Sequence, residues 1–246
     1  TKPISNTRCS RYLGFSLVEG GDLTVRDGRV WLKTLNGLRR VHAILRRQDD
    51  TFCDPLELRT DSALGIAGLT DCARRGTVLI ANSLGAGVLQ SPALLGFLPG
   101  LCEHMLDEPL RMPSVATWWC GEPAALEDAL AHVDQLVFKS ADPTQWFDPI
   151  FGQDLDEDGI ADLERRLRAN PQQFIAQELV QFSQSPVLGA SAKQQVDARA
   201  VTFRVFVAAT PTGYTVMPGG LTRVASSTDP RIVAMQRGGG SKDTWV

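Results

Sequence analysis

The feature that most constrains the fold is an alternation of strand-like and helix-like segments in the first half of the chain. Short apolar runs at residues 41–45 and 77–81 are typical of buried strands. A capped helix over residues 61–75 lies between them, and a second helix begins at Ser91-Pro92. Parallel strands need a crossover connection that is usually helical, so this order predicts a parallel α/β sheet.

Antiparallel patterns dominate the rest of the chain. Alternating apolar residues around Asp27-Gly28, a dipeptide that tolerates the positive φ angles of a tight turn, predict a β-hairpin at residues 22–33. The second half carries an amphipathic helix at 159–169 and antiparallel strand patterns at 136–139, 174–180, 201–208 and 214–217. A change of texture near residue 112 divides the chain into an α/β domain (1–112) and an α+β domain (113–246).

Composition excludes several classes of function. The 246 residues include 25 Lys and Arg against 28 Asp and Glu, and no run of like charges marks a nucleic-acid partner. No apolar run approaches the roughly 20 residues that a bilayer requires, so we expect a soluble, cytoplasmic protein without a membrane partner. The five cysteines are odd in number and lack a C-x-x-C pair, which argues against disulfides and zinc and favours buried thiols.

Polar residues interrupt several apolar strands of the second half, and each has two interpretations. Lys139 is either a solvated edge lysine or an anion ligand. Arg204, inside an apolar strand, needs a buried carboxylate or a phosphate, because an unpaired buried guanidinium is costly. The glycines at 219–220 and 238–240 either form turns or cradle an anion with their backbone N–H groups.

Five longer tracts carry a resemblance to a known family. They are GLRRVHAILRRQDDTFCD (37–54), PLELRTDSALGIAG (55–68), TWWC (117–120), PGGLTRV (218–224) and QRGGGSKDTW (236–245). Together they resemble the circularly permuted type 2 ATP-grasp family, over about residues 11–246. The resemblance implies a Rossmann-like pre-ATP-grasp domain followed by an ATP-grasp-type nucleotide-binding domain, in circularly permuted order.

The resemblance also implies an ATP-dependent carboxylate–amine ligase that forms a peptide or amide bond through an acyl phosphate. Its substrate would be a small molecule or peptide that supplies the carboxylate and the amine, and its cofactors ATP and Mg²⁺. The residues that match the family's nucleotide site are Lys139, Gln177, Glu178, Arg237, Gly238 and Gly239. Those that match its phosphate-side or acyl-phosphate-side cations are Arg204 and Arg223.

Two departures from the family pattern argue against ligase activity in the isolated chain. Residues 140–149, which follow Lys139, contain no glycine, whereas ATP-grasp ligases usually have a glycine-rich phosphate lid there. The family's magnesium ligands belong, in the permuted order, upstream of residue 11. We therefore expect the isolated chain to be inactive, with a partner subunit or an N-terminal segment supplying the metal ligands. The alternative is a non-catalytic nucleotide-binding or assembly module derived from such a ligase.

One further cluster follows the predicted strand at 41–45, at the sheet edge where α/β proteins bind ligands. It comprises Arg46, Arg47, Asp49 and Asp50. Two cations and two carboxylates could bind the acceptor or donor substrate, or they could form an ion-pair network with one another.

Overall fold

The computed structural model describes residues 12, 14–143, 145, 147–188, 196–226, 231–233 and 238–245. It is a mixed α/β structure that begins with a three-stranded antiparallel sheet, β1 (Leu23–Arg26), β2 (Arg29–Thr34) and β3 (Gly37–Arg40). The predicted hairpin is confirmed, with Asp27 and Gly28 at φ +51° and +65° in its turn. The third strand was not predicted, because its polar residues show no alternation.

A parallel pair follows, formed by β4 (Ala43–Leu45) and β5 (Leu79–Ala81), with helix α1 (Leu69–Arg74) between them. Helix α1 begins eight residues later than the predicted start at residue 61. Asp61 instead pairs with Arg59, and the Ser62 hydroxyl donates to a backbone carbonyl. The left-handed Gly76 follows the end of the helix, as its sequence indicates.

The second half is built on an antiparallel sheet in the order β6-β9-β7-β8. Its strands are β6 (Thr117–Trp119), β7 (Leu136–Ser140), β8 (Ile150–Phe151) and β9 (Phe174–Glu178). Helix α2 (Leu94–Leu106) precedes β6, and helices α3 (Pro123–Ala131) and α4 (Glu157–Ala169) lie between its strands in sequence. Leu163 and Leu167 of α4 pack with Phe138 and Phe174 into one core, which confirms the predicted apolar face of that helix.

A second antiparallel sheet has the order β10-β11-β14-β15, and β12 pairs with β13 as a separate hairpin. The strands are β10 (Gln184–Leu188), β11 (Val196–Arg204), β12 (Val207–Thr210), β13 (Gly213–Val216), β14 (Gly220–Val224) and β15 (Gly240–Thr244). The predicted hairpin between residues 201–208 and 214–217 is confirmed only from residue 207 onward, where β12 pairs with β13. Residues 201–204 belong to β11 and pair with β14 instead. Across the part of the chain that the structure describes, no helix is long and apolar enough to cross a membrane.

Candidate functional site

Three polar side chains from three strands meet on one face of the β6-β9-β7-β8 sheet. Gln177 lies opposite Val137 on β7 and opposite Thr117 on β6. Lys139 shares that face, because it lies two residues beyond Val137. Its Nζ donates a hydrogen bond of 2.6 Å to Oε1 of Gln177, and the Gln177 amide nitrogen donates one of 2.9 Å to the Thr117 hydroxyl. The sheet thus fixes a lysine ammonium against a neutral acceptor.

The electrostatics of Lys139 differ from those of an ordinary surface lysine. The side chain is partly buried, and this burial lowers the pKa of its ammonium because it disfavours the charged form. Within the described residues Lys139 forms no ion pair, and its side-chain hydrogen-bond partner is the uncharged Gln177. The ammonium has three N–H donors, so two are available to another acceptor.

Glu178 lies on the opposite face of the same sheet. Successive residues of a strand alternate between faces, and Glu178 pairs with Leu136, one residue before Val137. Its exposed side chain lines a cavity of about 420 Å³ together with Trp118, His132 and Leu136. The structure therefore brings Gln177 to Lys139 and directs Glu178 to a separate cavity on the face that carries the helices.

Arg204 and Arg223 share one face of the second sheet. Arg223 pairs with Thr202, and Arg204 lies two residues beyond Thr202 on β11, so the two arginines are diagonal neighbours. Arg204 is exposed, and its guanidinium carbon lies 5.3 Å from the centre of the Phe206 ring. Nε of Arg223 is buried and has no hydrogen-bond partner among the residues described. Two arginines thus share one sheet face, and among the described residues one of them has an unmet donor.

The glycine-rich turn is described only in part. Arg237 lies outside the described residues. Gly238 has a φ of +80°, in the left-handed region, and Gly238 and Gly239 directly precede β15. Asp243 of β15 pairs with Leu221, which places it on the same face as Arg204 and Arg223.

The cluster at residues 46–50 divides into two inward and two outward side chains. Arg46 and Asp50 form an ion pair of 2.5 Å, with side chains only 12% and 16% exposed. Arg46 also donates to carbonyl oxygens of the following loop, at 3.1 Å to Asn82 and 3.2 Å to Ser83. Asp50 accepts N–H groups from Gly85 and Gly87 in the same loop. Arg47 and Asp49 are exposed.

Three of the four described cysteines are buried, and the fourth, Cys102, is partly exposed. Cys53, Cys72 and Cys120 are buried, and burial raises the pKa of Cys120 to about 11. Cys9 lies outside the described residues. No cluster of His, Cys, Asp and Glu able to hold a metal ion occurs in the described ranges.

Sequence reasoning assigned no individual role to Thr117, although its hydroxyl completes the contact between Lys139 and Gln177. It lies within the tract TWWC, but 60 residues separate it from Gln177. The sequence alone gives no signal for this role, because the role depends on the pairing of β6 with β9.

Comparison with known proteins gives one consistent result. A family model described as circularly permuted ATP-grasp type 2 matches residues 5–225. The uncharacterized protein Rv2567 of Mycobacterium tuberculosis is 40% identical over 234 residues, or 95% of this chain and 26% of that protein. Rv2411c of the same species is 36% identical over 239 residues (96% and 42%). The uncharacterized protein sll0335 of Synechocystis is 36% identical over 237 residues (96% and 49%).

The chain therefore spans between a quarter and a half of the length of these curated relatives. The family model, in contrast, covers most of the chain, including Lys139, Gln177, Arg204 and Arg223. This chain belongs to the circularly permuted ATP-grasp type 2 family.

Proposed function

We propose that this chain carries the nucleotide-facing part of an ATP-dependent carboxylate–amine ligase that works through an acyl phosphate. The observation that carries the proposal is the environment of Lys139. A partly buried ammonium that has no carboxylate partner among the described residues is electrostatically incomplete, and an anion such as a phosphate would complete it. Family membership supports the choice of ATP as the source of that phosphate.

The residues have distinct roles in this proposal. Lys139 binds a nucleotide phosphate, and Gln177 holds the lysine in place. Arg204 and Arg223 stabilise the negative charge of the phosphoryl group and of the acyl phosphate, since paired cations on a rigid sheet need little reorganisation. The polar-rim role that the resemblance implies for Glu178 is not part of this proposal, because Glu178 lies on the opposite face of the sheet from Lys139, beside a separate cavity. The resemblance assigns the closing turn of the site to Arg237, Gly238 and Gly239, of which the structure describes the two glycines.

Magnesium is assigned to no residue of this chain. The described residues contain no suitable ligand cluster, so they do not fit a metal by themselves. In an active ligase, we infer that the metal ligands come from a part of the protein that the relatives have beyond the matched region. The substrate, a small molecule or peptide that supplies the carboxylate and the amine, is also part of the proposal. The residues described do not indicate which substrate it is.

We further propose that residues 1–112 form a Rossmann-like, substrate-side domain and that residues 113–246 form the ATP-grasp domain in permuted order. The parallel pair β4 and β5 supports the first assignment. Arg47 and Asp49 are exposed next to β4 and remain candidates for substrate binding. The buried pairing of Arg46 and Asp50 favours a structural role for those two residues.

A second function has one observation in its favour. The glycine-free segment at 140–149 offers a stiffer cover for phosphates than a glycine-rich lid, because prolines at 143 and 149 restrict the backbone. A non-catalytic nucleotide-binding or assembly module would not need a mobile lid. Both functions require the nucleotide site, so binding is the property to test first.

The test is thermal unfolding of the full-length protein with and without millimolar ATP and magnesium. A ligand present at about 100 times its Kd stabilises the folded state by about 2.7 kcal/mol. We expect an upward shift of Tm for the wild type and none for Lys139→Ala. Lys33→Ala is the matched control, because Lys33 is an exposed lysine of β2 that donates to the carbonyl oxygen of Gly21, just before β1. Absence of a shift in the wild type would remove the nucleotide proposal.

A further inference from the structure

We propose that Thr117 is a positioning residue for Lys139. Its hydroxyl fixes the orientation of the Gln177 amide, and through that amide it fixes the direction and the charge of the lysine ammonium. The use of this arrangement for phosphate binding rests on the proposed function, whereas the geometry stands on the hydrogen bonds alone.

The hydrogen bonds of this group can run in only one direction. The Lys139 ammonium has donors and no acceptor, so the Gln177 atom 2.6 Å from Nζ is the carbonyl oxygen. The amide nitrogen then faces the Thr117 hydroxyl oxygen, at 2.9 Å, and must donate to it. Thr117 in turn donates its single proton to the carbonyl oxygen of Val115, also at 2.9 Å. Each of these three hydrogen bonds therefore has a defined donor and a defined acceptor.

Burial makes this orientation obligatory. Gln177 and Thr117 are each only 8% exposed, so water has little access to compensate for a reversed amide. Rotation of the amide by 180° would place its N–H groups against the Lys139 ammonium and its oxygen against Thr117. That arrangement would leave the ammonium without its acceptor, and buried polar groups without partners are unfavourable. Because the Thr117 hydroxyl donates its proton to the Val115 carbonyl oxygen, it is left to accept from Gln177, and it therefore favours the orientation that serves the lysine.

A fixed acceptor also acts on the charge of Lys139. Burial lowers the pKa of this ammonium, and a carbonyl oxygen directed at Nζ opposes that effect because it stabilises the charged form. Connected hydrogen bonds polarise one another, which strengthens the hydrogen bond between Lys139 and Gln177. Without the Thr117 hydroxyl the Gln177 amide is held only by its contact with Lys139, and we expect Lys139 to lose its proton at lower pH than in the wild type.

The first experiment needs no nucleotide. The rate at which acetic anhydride acetylates Lys139 is measured against pH by peptide mass spectrometry, because only the neutral amine reacts. We expect Thr117→Val to move the profile to lower pH and Thr117→Ser to restore the wild-type profile. Thr77→Val is the matched control, since the Thr77 hydroxyl also donates to backbone carbonyls but lies in the first half of the chain. An unchanged profile for Thr117→Val would overturn the inference.

A double variant tests whether Thr117 acts through Gln177. In a Gln177→Met background the amide is gone, so Thr117→Val should cause no additional movement of the Lys139 profile. An additional movement would show that Thr117 acts by another route and would contradict the proposal. Where circular dichroism shows that Thr117→Val does not fold, Thr117→Ala replaces it with the same expected results.

Nucleotide binding then separates this inference from the proposed function. If the wild type binds ATP, Thr117→Val should raise the Kd on the order of tenfold, as expected for a weakened hydrogen bond to a charged group, and Thr117→Ser should not. Equal Kd values for Thr117→Val and the wild type would count against the positioning role. A wild type that binds no ATP, with the acetylation profiles as expected, would refute the proposed function and leave the role of Thr117 intact.

Discussion

Replacement of Asp54 by alanine should destabilise the first half of the chain by about 3 kcal/mol. The Asp54 side chain is fully buried and accepts three backbone N–H groups. Oδ1 accepts from Leu56 at 3.0 Å and from Gly68 at 3.1 Å, and Oδ2 accepts from Thr70 at 2.9 Å. Each buried donor left without an acceptor costs about 1–3 kcal/mol, and removal of a buried carboxylate offsets part of the sum. One substitution thus releases both the loop before helix α1 and the first turn of that helix.

The effect of Asp54 should also depend on pH, in a direction that the hydrogen bonds determine. Burial raises the pKa of the Asp54 carboxyl, but the N–H groups of Thr70, Leu56 and Gly68 outweigh burial, and the pKa lies below its ordinary value. A lowered pKa in the folded state means that the contribution to stability is present above the unfolded pKa of about 3.9. It is lost as the pH falls through the folded pKa. Asp54→Asn, which keeps the volume without the charge, should therefore differ most from the wild type near neutral pH.

Urea unfolding followed by far-ultraviolet circular dichroism measures both effects. The free energy of unfolding is compared at pH 7 and at pH values below 4 for the wild type, Asp54→Ala and Asp54→Asn. Asp61→Ala is the matched control, because Asp61 is an exposed aspartate paired with Arg59 nearby, and it should stay close to the wild type. The reasoning would be refuted if Asp54→Ala were as stable as Asp61→Ala. It would also be refuted if the difference in free energy of unfolding between the wild type and Asp54→Asn were larger below pH 4 than at pH 7.

Three further outcomes test the packing and the thiols. Cys120, with a pKa of about 11 caused by burial, should resist iodoacetamide at pH 8 in the folded protein and react in urea, as followed by mass spectrometry. Leu167→Ala, at a fully buried position of α4, should lower the free energy of unfolding by about 2–5 kcal/mol. Leu101→Ala, at a position 41% exposed on α2, should lower it far less in the same urea titration. Gly152→Ala should impair folding, seen as a lower Tm, because its Cβ would overlap the carbonyl oxygen of Val133.

Local sequence signals were sufficient to predict elements whose contacts join residues close together in the sequence. The Asp27-Gly28 turn and the apolar face of α4 depend on residues a few positions apart, and both predictions are confirmed. The start of α1 depends instead on Asp54, 14 residues before Gly68, which captures the N–H groups that a local cap would take. Residues 61 and 62 carry a valid capping signal, but a long-range acceptor competes with it and the helix begins later.

Part of the candidate site could be predicted from the sequence, because successive residues of a strand alternate between the two faces of a sheet. Lys139 and Gln177 were both singled out from sequence, and they are in contact. Glu178 was grouped with Gln177 on the basis of the resemblance, although neighbouring residues of a strand point to opposite faces. Thr117 was reached only through the pairing of β6 with β9, because the sheet order cannot be read from periodicity.

The contrast between Arg46 and Lys139 indicates which cation is available to a ligand. Arg46 has a carboxylate at 2.5 Å and further backbone acceptors, so its charge and its donors are matched within the chain. Lys139 is also partly buried, but within the described part of the chain its side-chain partner is a neutral amide, which does not compensate its positive charge. Burial of an unpaired ammonium opposes folding, so a purely structural role does not explain a charged lysine at this position. Introduction of a carboxylate at the amide position, as Gln177→Glu, should therefore stabilise the chain to urea and at the same time weaken the shift of Tm by ATP. A variant that gained stability and kept the full shift would show that Lys139 is not the phosphate ligand.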